Sequence, residues 1–398
     1  MEIVSVKLKN FKAFKEIEMK DIPSMCVIVG ANGTGKSTLF DVFGFLKDSL
    51  MDNVQVALSK RGGYSEVHTR NSDGPIKIEI KFRFQMKMGE VSKEPIATYT
   101  LVINEVNGQP IVEHEVIRYR RGRRGQPWKF LEFSNGSGKA VTNEFDDVQE
   151  ESKLEREEQT LAKPNILAIK GLAQFKKYPA VMALGQMIEN WHVSDFHISA
   201  ARQTPDAGYA EHLSREGENL ALVTQYLYQN HREKFNVILE RLANCVPGIK
   251  KVEAKTTEEG RVLLKFQDGS FKDPFLARYV SDGTIKMFAY LVLLHDPNPH
   301  PLLCVEEPEN QLYPKLLMEL AEEFRTYTNH GGQVFVSTHS PDFLNAVKID
   351  EVFWLFKQNG YTYVQRAKDN EQVSEYMEKG DQMGYLWKQG FFEGVDPQ

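Results

Sequence analysis

The sequence is poor in the features that mark a secreted, fibrous or membrane-spanning chain. It holds 3 cysteines in 398 residues. Cys26, Cys245 and Cys304 stand far apart in apolar stretches, which excludes CxxC zinc spacing and a disulfide framework and predicts packing roles for all three. No run approaches the roughly 20 apolar residues that span a bilayer. The N-terminal MEIVSVKLKNFKAF alternates apolar with polar residues and carries no apolar signal core, so a cytoplasmic chain without a membrane partner is expected. Basic charge is not in excess either. A formal net charge of −6 and a pI of 6.0 exclude a surface that binds nucleic acid all over and leave only local basic patches. Sustained heptads and internal repeats are also missing, which excludes a long coiled coil and a solenoid.

What is present is an ordinary globular balance, 41% hydrophobic and 26% charged residues. Single cores stop growing at roughly 250–300 residues, so the length predicts two coupled lobes in one polypeptide. Residues 1–8 alternate with period two, and Ser24–Val29 reads as a buried strand running into a glycine-rich loop. From Thr38 to Leu50 the spacing of Leu39, Val42, Phe43 and Leu46 predicts a helix. Residues 74–133 read as an antiparallel meander with one wet face. Asn143–Glu158 is dominated by acidic residues, including Glu144, Asp146, Asp147, Glu155 and Glu157, and reads as a solvated loop or exposed helix. Residues 166–191 and 217–246 look helical, and strands return over 251–266. Beyond them come a helix over 285–295, a buried strand over 302–305, a helix over 313–328, a buried strand over 333–337 and a closing hairpin turning at Asn359-Gly360. The expected domains are 1–165, a helical insertion over 166–250, and 251–398.

Four segments carry chemistry. Gly30-x4-Gly35-Lys36-Ser37 matches a phosphate-binding loop, in which the backbone from Gly30 through Asn32, Gly33, Gly35 and Lys36 to Thr38 cradles phosphate. Lys36 then reaches the β/γ-phosphates and Ser37 ligates Mg²⁺. Pro301–Pro308, PLLCVEEP, is an apolar strand ending in two carboxylates. Adjacent residues at a strand end point different ways, so Glu306 can face a metal and Glu307 an attacking water. His339 follows the buried strand VFVST and suits a contact with the γ-phosphate or with water. Ser281-Asp282-Gly283 opens a helix, which is a second phosphate-binding device as well as an ordinary N-cap. Apart from these, a basic run of Arg118, Arg120, Arg121, Arg123, Arg124 and Lys129, interleaved with Tyr119 and Trp128, reads as a hairpin tip or as a contact for nucleic acid or an acidic partner.

In this order, P-loop, S-D-G-T, L-L-x-x-E-E-P-E and S-T-H-S, the motifs resemble the ABC-ATPase clade that includes SMC, RecF and the OLD family, over residues 1 to about 349. Within the clade the chain looks like the single-chain AAA-family ATPases linked to defence against phage. The resemblance implies an α/β ABC-type fold with a β-rich meander in the first lobe and a helical insertion before the signature, with ATP and Mg²⁺ as cofactors. Ser281, Asp282 and Gly283 would form the signature that crosses to the ATP of a second copy. Glu306 would be the Walker B acid in place of the more usual aspartate, Glu307 the catalytic glutamate, Glu309-Asn310 part of the D-loop, and His339 the switch histidine. Arg61 resembles an arginine that some relatives direct at ATP, beside its reading as an exposed structural arginine, and no Q-loop can be placed.

The resemblance thus implies an ATP switch that dimerises head to tail. No nuclease module of the TOPRIM kind follows Asp350, so its effector, a nuclease or toxin, is expected to be separately encoded. The alternative is a RecF-like DNA-binding repair or maintenance ATPase. An ABC transporter ATPase fits poorly, because the large insertions break that compact pattern.

Overall fold

The computed structural model describes residues 1–88, 91–121, 125–144, 146 and 150–392. The chain divides into two units, one of Met1–Trp191, Asp350–Ser374 and Phe392, the other of His192–Ile349 and Glu375–Phe391.

The first unit opens with β1 (Glu2–Phe11), β2 (Phe14–Lys20) and β3 (Met25–Val29), followed by helices α1 (Lys36–Met51), α2 (Val54–Ser59) and α3 (Tyr64–Val67). Strands β4 (Ile76–Arg83), β5 (Met86–Met88), β6 (Val91–Lys93), β7 (Ile96–Val106), β8 (Gln109–Tyr119), β9 (Trp128–Ser134), β10 (Ser137–Val141) and β11 (Arg156–Thr160) come next, then α4 (Ala168–Leu172) and α5 (Pro179–Glu189). Eight strands form one sheet in the order β11-β10-β9-β8-β7-β4-β1-β2. Buried and half-exposed residues alternate along β4 and β7, so one face is packed and the other wet, as the meander predicted. Asn107-Gly108 and Asn135-Gly136 have left-handed φ values of 53° and 73°, and of 50° and 83°, the backbone that two-residue hairpins require.

Two expectations need correction here. The acidic stretch is neither a loop nor a helix throughout. Residues Arg156–Thr160 form β11, paired antiparallel with β10, and the Glu144 carboxylate is buried, accepting from the Tyr119 hydroxyl at 2.7 Å and the Ala180 amide at 3.2 Å. Asp147 lies outside the described residues. The boundary expected at 165 is displaced to 191, because α5 packs on α1, Phe43 meets Trp191 edge to face at 5.3 Å, and Lys47 Nζ donates to the Trp191 carbonyl at 2.6 Å.

The second unit contains β12 (His192–Ser194), α6 (Ile198–Ala201), α7 (Leu220–Asn230), α8 (Arg232–Cys245), β13 (Ile249–Thr256), β14 (Val262–Asp268) and β15 (Phe275–Leu276). It continues through α9 (Asp282–Leu294), β16 (Leu302–Glu306), α10 (Pro314–Asn329), β17 (Gln333–Thr338) and α11 (Pro341–Leu344). β12, β16 and β17 run parallel, with Ser194 opposite Val305 and Glu306 opposite Ser337, so their C-terminal ends share one edge. Helix α9 is buried from Thr284 to Leu294, consistent with an almost uniformly apolar sequence. The boundary expected at 250 falls inside this unit: α7 and α8 pack on β13.

The chain then returns to the first unit through β18 (Val352–Gln358) and β19 (Tyr361–Arg366); α12 (Glu371–Glu378) follows, and α13 (Met383–Lys388) belongs to the second unit. β18 pairs parallel with β3 and antiparallel with β19, and the turn uses Asn359 and Gly360 at φ 52° and 80°. Cys26 and Cys304 are buried and Cys245 is half-buried. Burial pushes the Cys245 thiol up to about 11 and the Cys26 thiol far above its usual range, so packing is the role of both. Among the described residues no helix is long and apolar enough to cross a membrane.

Candidate functional site

In the first unit the fully buried β3 delivers the chain to Gly30, and α1 starts at Lys36. Glycine is required at the start of this loop by a close approach. A Cβ on Gly30 would sit 2.4 Å from Thr34 Oγ1 and 3.0 Å from the Leu355 carbonyl. Gly33 and Gly35 adopt φ values of 78° and 101°, so the loop can turn its amides to one side without strain. Thr362 Oγ1 donates to the Thr34 carbonyl at 2.9 Å and pins the loop from β19. The buried Lys36 ammonium donates to the carbonyls of Gly30 at 2.8 Å and Ala31 at 3.4 Å, so it is folded over the loop's own rim. Asn32, Gly33 and Ser37 are exposed and Thr38 is half-buried. A 16-residue helix begins here, and its free amides and dipole favour a phosphate. The loop fits that group.

Arg61 is not exposed and is fully engaged inside the first unit. Its guanidinium pairs with Asp41 at 2.7 Å and Asp48 at 2.8 Å, donates to the Ala57 carbonyl and lies over the Phe45 ring, so it ties α2 to α1. Gln55 accepts from Asn165 Nδ2 at 3.0 Å on α2, and among the described residues of the first unit none emerges as a Q-loop glutamine.

In the second unit, Glu306 ends β16 and Glu307 leaves the strand at φ 41°, a left-handed backbone unusual for glutamate. The Glu307 amide donates to the Ser337 carbonyl at 3.0 Å, which fixes this turn against β17. Glu307 Oε1 stands 3.4 Å from His339 Nδ1, and Oε2 accepts from Asn310 Nδ2 at 3.2 Å. Glu306 points differently, with its Oε1 3.8 Å from Arg215 Nη2. Both are oxygen donors or acceptors of the kind that Mg²⁺ and an activated water require, as is the Ser37 hydroxyl.

Glu309 is the residue that reading the sequence undervalued. The residue is half-buried with its side chain only 8% exposed, and its Oε1 accepts from Thr338 Oγ1 and from the His339 amide, both at 2.8 Å, while His339 Nδ1 lies 3.3 Å away. It therefore holds His339 from both backbone and ring. Its place three residues after Glu306, in E-E-P-E, carried this signal. Lys286, on the buried helix α9, has its ammonium pushed down to about 8, first by burial, against the opposing pull of Glu309, Asp195 and Glu307.

Ser281 caps α9: its hydroxyl oxygen accepts from the Thr284 amide at 3.3 Å and shares a hydrogen bond with the Thr284 hydroxyl at 2.7 Å. Asp282 pairs with Arg202 at 2.6 Å. A Cβ on Gly283 would come within 3.2 Å of the Gln311 carbonyl, so the first turn of α9 lies directly against the segment after Glu309-Asn310.

The basic run is less available than its charge suggests. Arg118 reaches Glu79 at 3.9 Å, and Lys129 pairs with Glu132 at 2.6 Å. Arg121 donates to the carbonyls of Glu144 and Asp146 and lies over the Trp128 and Phe130 rings. Arg120 is exposed. Arg123 and Arg124 lie outside the described residues.

A strand–glycine loop–helix unit, together with parallel strand ends that present paired glutamates and a histidine, defines a P-loop ATPase of the ABC type. Residues 25–345 match the family described as "AAA domain, putative AbiEii toxin, Type IV TA system", and the chain belongs to this family of ATPases. No curated protein matches the sequence. Among solved structures the fold is similar to an SMC head bound to the C-terminal winged-helix domain of ScpA, with TM-score 0.56 and 14% identity, covering 92% of this chain and 98% of that one. SMC heads from Thermotoga maritima (TM-score 0.44, 14% identity, 92% and 99% covered) and from Pyrococcus furiosus bound to ScpA (TM-score 0.48, 15% identity, 95% and 99% covered) also match.

Proposed function

We propose that this ATPase is a switch that closes head to tail on a second copy of itself around ATP and Mg²⁺, and that its output is a separately encoded effector. The observation that carries the reading is the signature turn. Ser281 is exposed at the head of a helix that is buried from Thr284 onward, and Gly283 is braced on the Gln311 carbonyl. Such a helix start is suited to phosphate brought from outside the chain.

In this reading Lys36 and the loop amides hold the β/γ-phosphates, and Ser37 and Glu306 hold Mg²⁺, which neutralises charge on the phosphates when bound. Glu307 accepts a proton from the attacking water, and His339, positioned by Glu309, faces the γ-phosphate. Ser281, Asp282 and Gly283 complete the site of the partner copy. ATP then assembles two sites, and hydrolysis releases them.

Mixing two defective chains tests the arrangement. Lys36→Ala and Ser281→Arg chains are each expected to be inactive, while their mixture regains part of the wild-type ATPase rate, because one composite site is then intact. A mixture as inactive as its components would overturn the shared site.

For the output, we propose regulation of a nuclease or toxin in a bacterial anti-phage defence complex. An SMC head similar in fold is bound to a protein partner, a domain of ScpA, and a protein partner fits this output. The RecF-like alternative would need free cations on the meander, yet Arg118, Arg121 and Lys129 each have an internal partner. Co-purification with a neighbouring gene product without DNA supports the first reading. Salt-sensitive DNA binding lost on charge reversal of Arg120, Arg121, Arg123 and Arg124 supports the second.

A further inference from the structure

Away from the strand edge that carries Glu306, the second unit gathers three potential metal ligands that the ATPase chemistry leaves unused. His212 lies in the segment between α6 and α7. Asp296 and His300 lie in the short connection His295-Asp296-Pro297-Asn298-Pro299-His300-Pro301 between α9 and β16. One ligand atom from each of His212, Asp296 and His300 falls within a set whose members are all within 4.8 Å of one another. His212 Nδ1 lies 2.7 Å from Asp296 Oδ2.

The groups around these ligands already orient them. Asp296 Oδ1 accepts from the Asn298 amide at 2.8 Å, which leaves Oδ2 turned towards His212. The Tyr327 hydroxyl donates to the His300 carbonyl and fixes that residue's backbone. The His300 ring is stacked on His192 at 4.8 Å between centroids, and His212 approaches it at 5.2 Å. Three prolines stiffen the connection further. Asp296 and His300 are thus buried and held, whereas His212 is exposed and can swing. Ligand atoms in a tetrahedral zinc site lie roughly 3.3 Å apart, given metal–ligand lengths of about 2.0–2.1 Å, and the observed separations, 2.7 Å for His212 to Asp296 and none above 4.8 Å, bracket that spacing. A cavity of about 270 Å³ bordered by Asp296, Pro299, Glu323 and Tyr327 lies beside one of the three ligands, Asp296.

We propose that His212, Asp296 and His300 form a structural site for a divalent transition ion of the Zn²⁺ class, with water as the fourth ligand. Two imidazoles and one carboxylate match that ion better than Mg²⁺, which takes oxygen ligands. The site stands apart from the nucleotide machinery. His192 pairs with Leu303 in the sheet, so roughly 10 Å of strand separates this end of β16 from Glu306. Its consequence reaches that end nevertheless. The segment that begins at His212 lies against the residues that follow β12, with the Arg215 and Glu216 carbonyls accepting from the Asp195 and His197 amides, and Arg215 reaches to 3.8 Å from Glu306. An ion on His212 anchors the segment that carries Arg215.

The test uses untagged full-length protein, stripped with a chelator and titrated with Co²⁺ and then Zn²⁺ without nucleotide. About one Co²⁺ per chain is expected to bind with the visible absorption of a four-coordinate nitrogen–oxygen site and to be displaced by Zn²⁺. Binding should also slow amide exchange over residues 212–216. His212→Ala, at an exposed position, should weaken binding by at least ~10-fold, and the near-isosteric Asp296→Asn should do the same. Glu306→Gln should leave the titration unchanged. Absence of a stoichiometric site, equal affinity in wild type and His212→Ala, or loss of the site in Glu306→Gln instead would each overturn the proposal. None of these readouts depends on ATP turnover.

Discussion

His339 and Glu307 meet across the ends of neighbouring parallel strands, with Nδ1 of the histidine 3.4 Å from Oε1 of the glutamate. The contact exists because β16 and β17 are in register at Glu306 and Ser337, and because the Glu307 amide is tied to the Ser337 carbonyl. A carboxylate so held is oriented before any nucleotide arrives. Replacing it by an amide keeps the shape and removes the proposed base. Glu307→Gln is therefore expected to bind ATP, to hydrolyse it ~10²–10⁴-fold more slowly, and to accumulate as a nucleotide-bound dimer. Single-turnover assays and sedimentation velocity check this, and near-normal turnover would sink the assignment of Glu307.

Lys36 is held over the loop by the Gly30 and Ala31 carbonyls, and phosphate oxygens would compete for the same ammonium. A hydrogen bond to a charged group is worth about 1.5–3 kcal/mol, so Lys36→Ala should lose roughly 10–100-fold in nucleotide affinity. Equilibrium titration with a fluorescent ATP analogue measures it. Unchanged affinity would contradict the role given to the P-loop lysine.

Lys286 gives a pH signature. Its folded value is lowered from 10.5 to about 8 by burial on α9, so between about pH 8 and 10.5 the unfolded chain binds the proton that the folded chain has lost. Stability contributed by this group therefore rises with pH across that window, and below it the full cost of a buried charge is present, on the order of 3 kcal/mol. Lys286→Met should be more stable than wild type at pH 7, with the difference shrinking as pH climbs from 8 to 10.5. Denaturant midpoints at several pH values decide it; a constant difference would show that the lysine is charged throughout.

Glu115 anchors the helices that follow the meander. Its buried carboxylate accepts from the amides of Ala168 and Ile169 and from the Tyr99 hydroxyl, and burial pushes it up to about 7. Glu115→Ala strands several buried donors at ~1–3 kcal/mol each and should lower stability by about 2–4 kcal/mol. Because the folded value is raised above 4.5, the wild-type contribution is largest at low pH and declines as pH rises from about 4.5 to 7. Glu115→Gln should flatten that decline. Urea titrations at pH 5 and pH 8 make the comparison, and identical pH profiles for the wild type and Glu115→Gln would refute the assignment.

Much of the architecture is legible along the chain. The buried run of β3, the helix after the P-loop, the alternation of β4 and β7 and the Asn359-Gly360 turn all express local periodicity or local backbone preference, which neighbouring residues suffice to encode. The hairpins at Asn107-Gly108 and Asn135-Gly136 carried the same signal. Glu144 and Arg61 misled, because charge predicts exposure only when no partner is supplied from elsewhere. Tyr119 and Ala180 supply one for Glu144, and Asp41 and Asp48 supply one for Arg61.

The sequence by itself determined the residue types of the proposed nucleotide site: the glycines and lysine of residues 30–38, Glu306 and Glu307 at the end of β16, Ser281 and Gly283 at the start of α9, and His339. Each depends on a short segment whose spacing is fixed by covalent geometry. Only the tertiary structure decided that Glu309 steadies His339, that Gly283 leans on Gln311, and that His212 meets Asp296 and His300. Those meetings join segments from different elements, and parallel strand register and helix packing, which no single stretch of sequence specifies, bring them within a few ångströms.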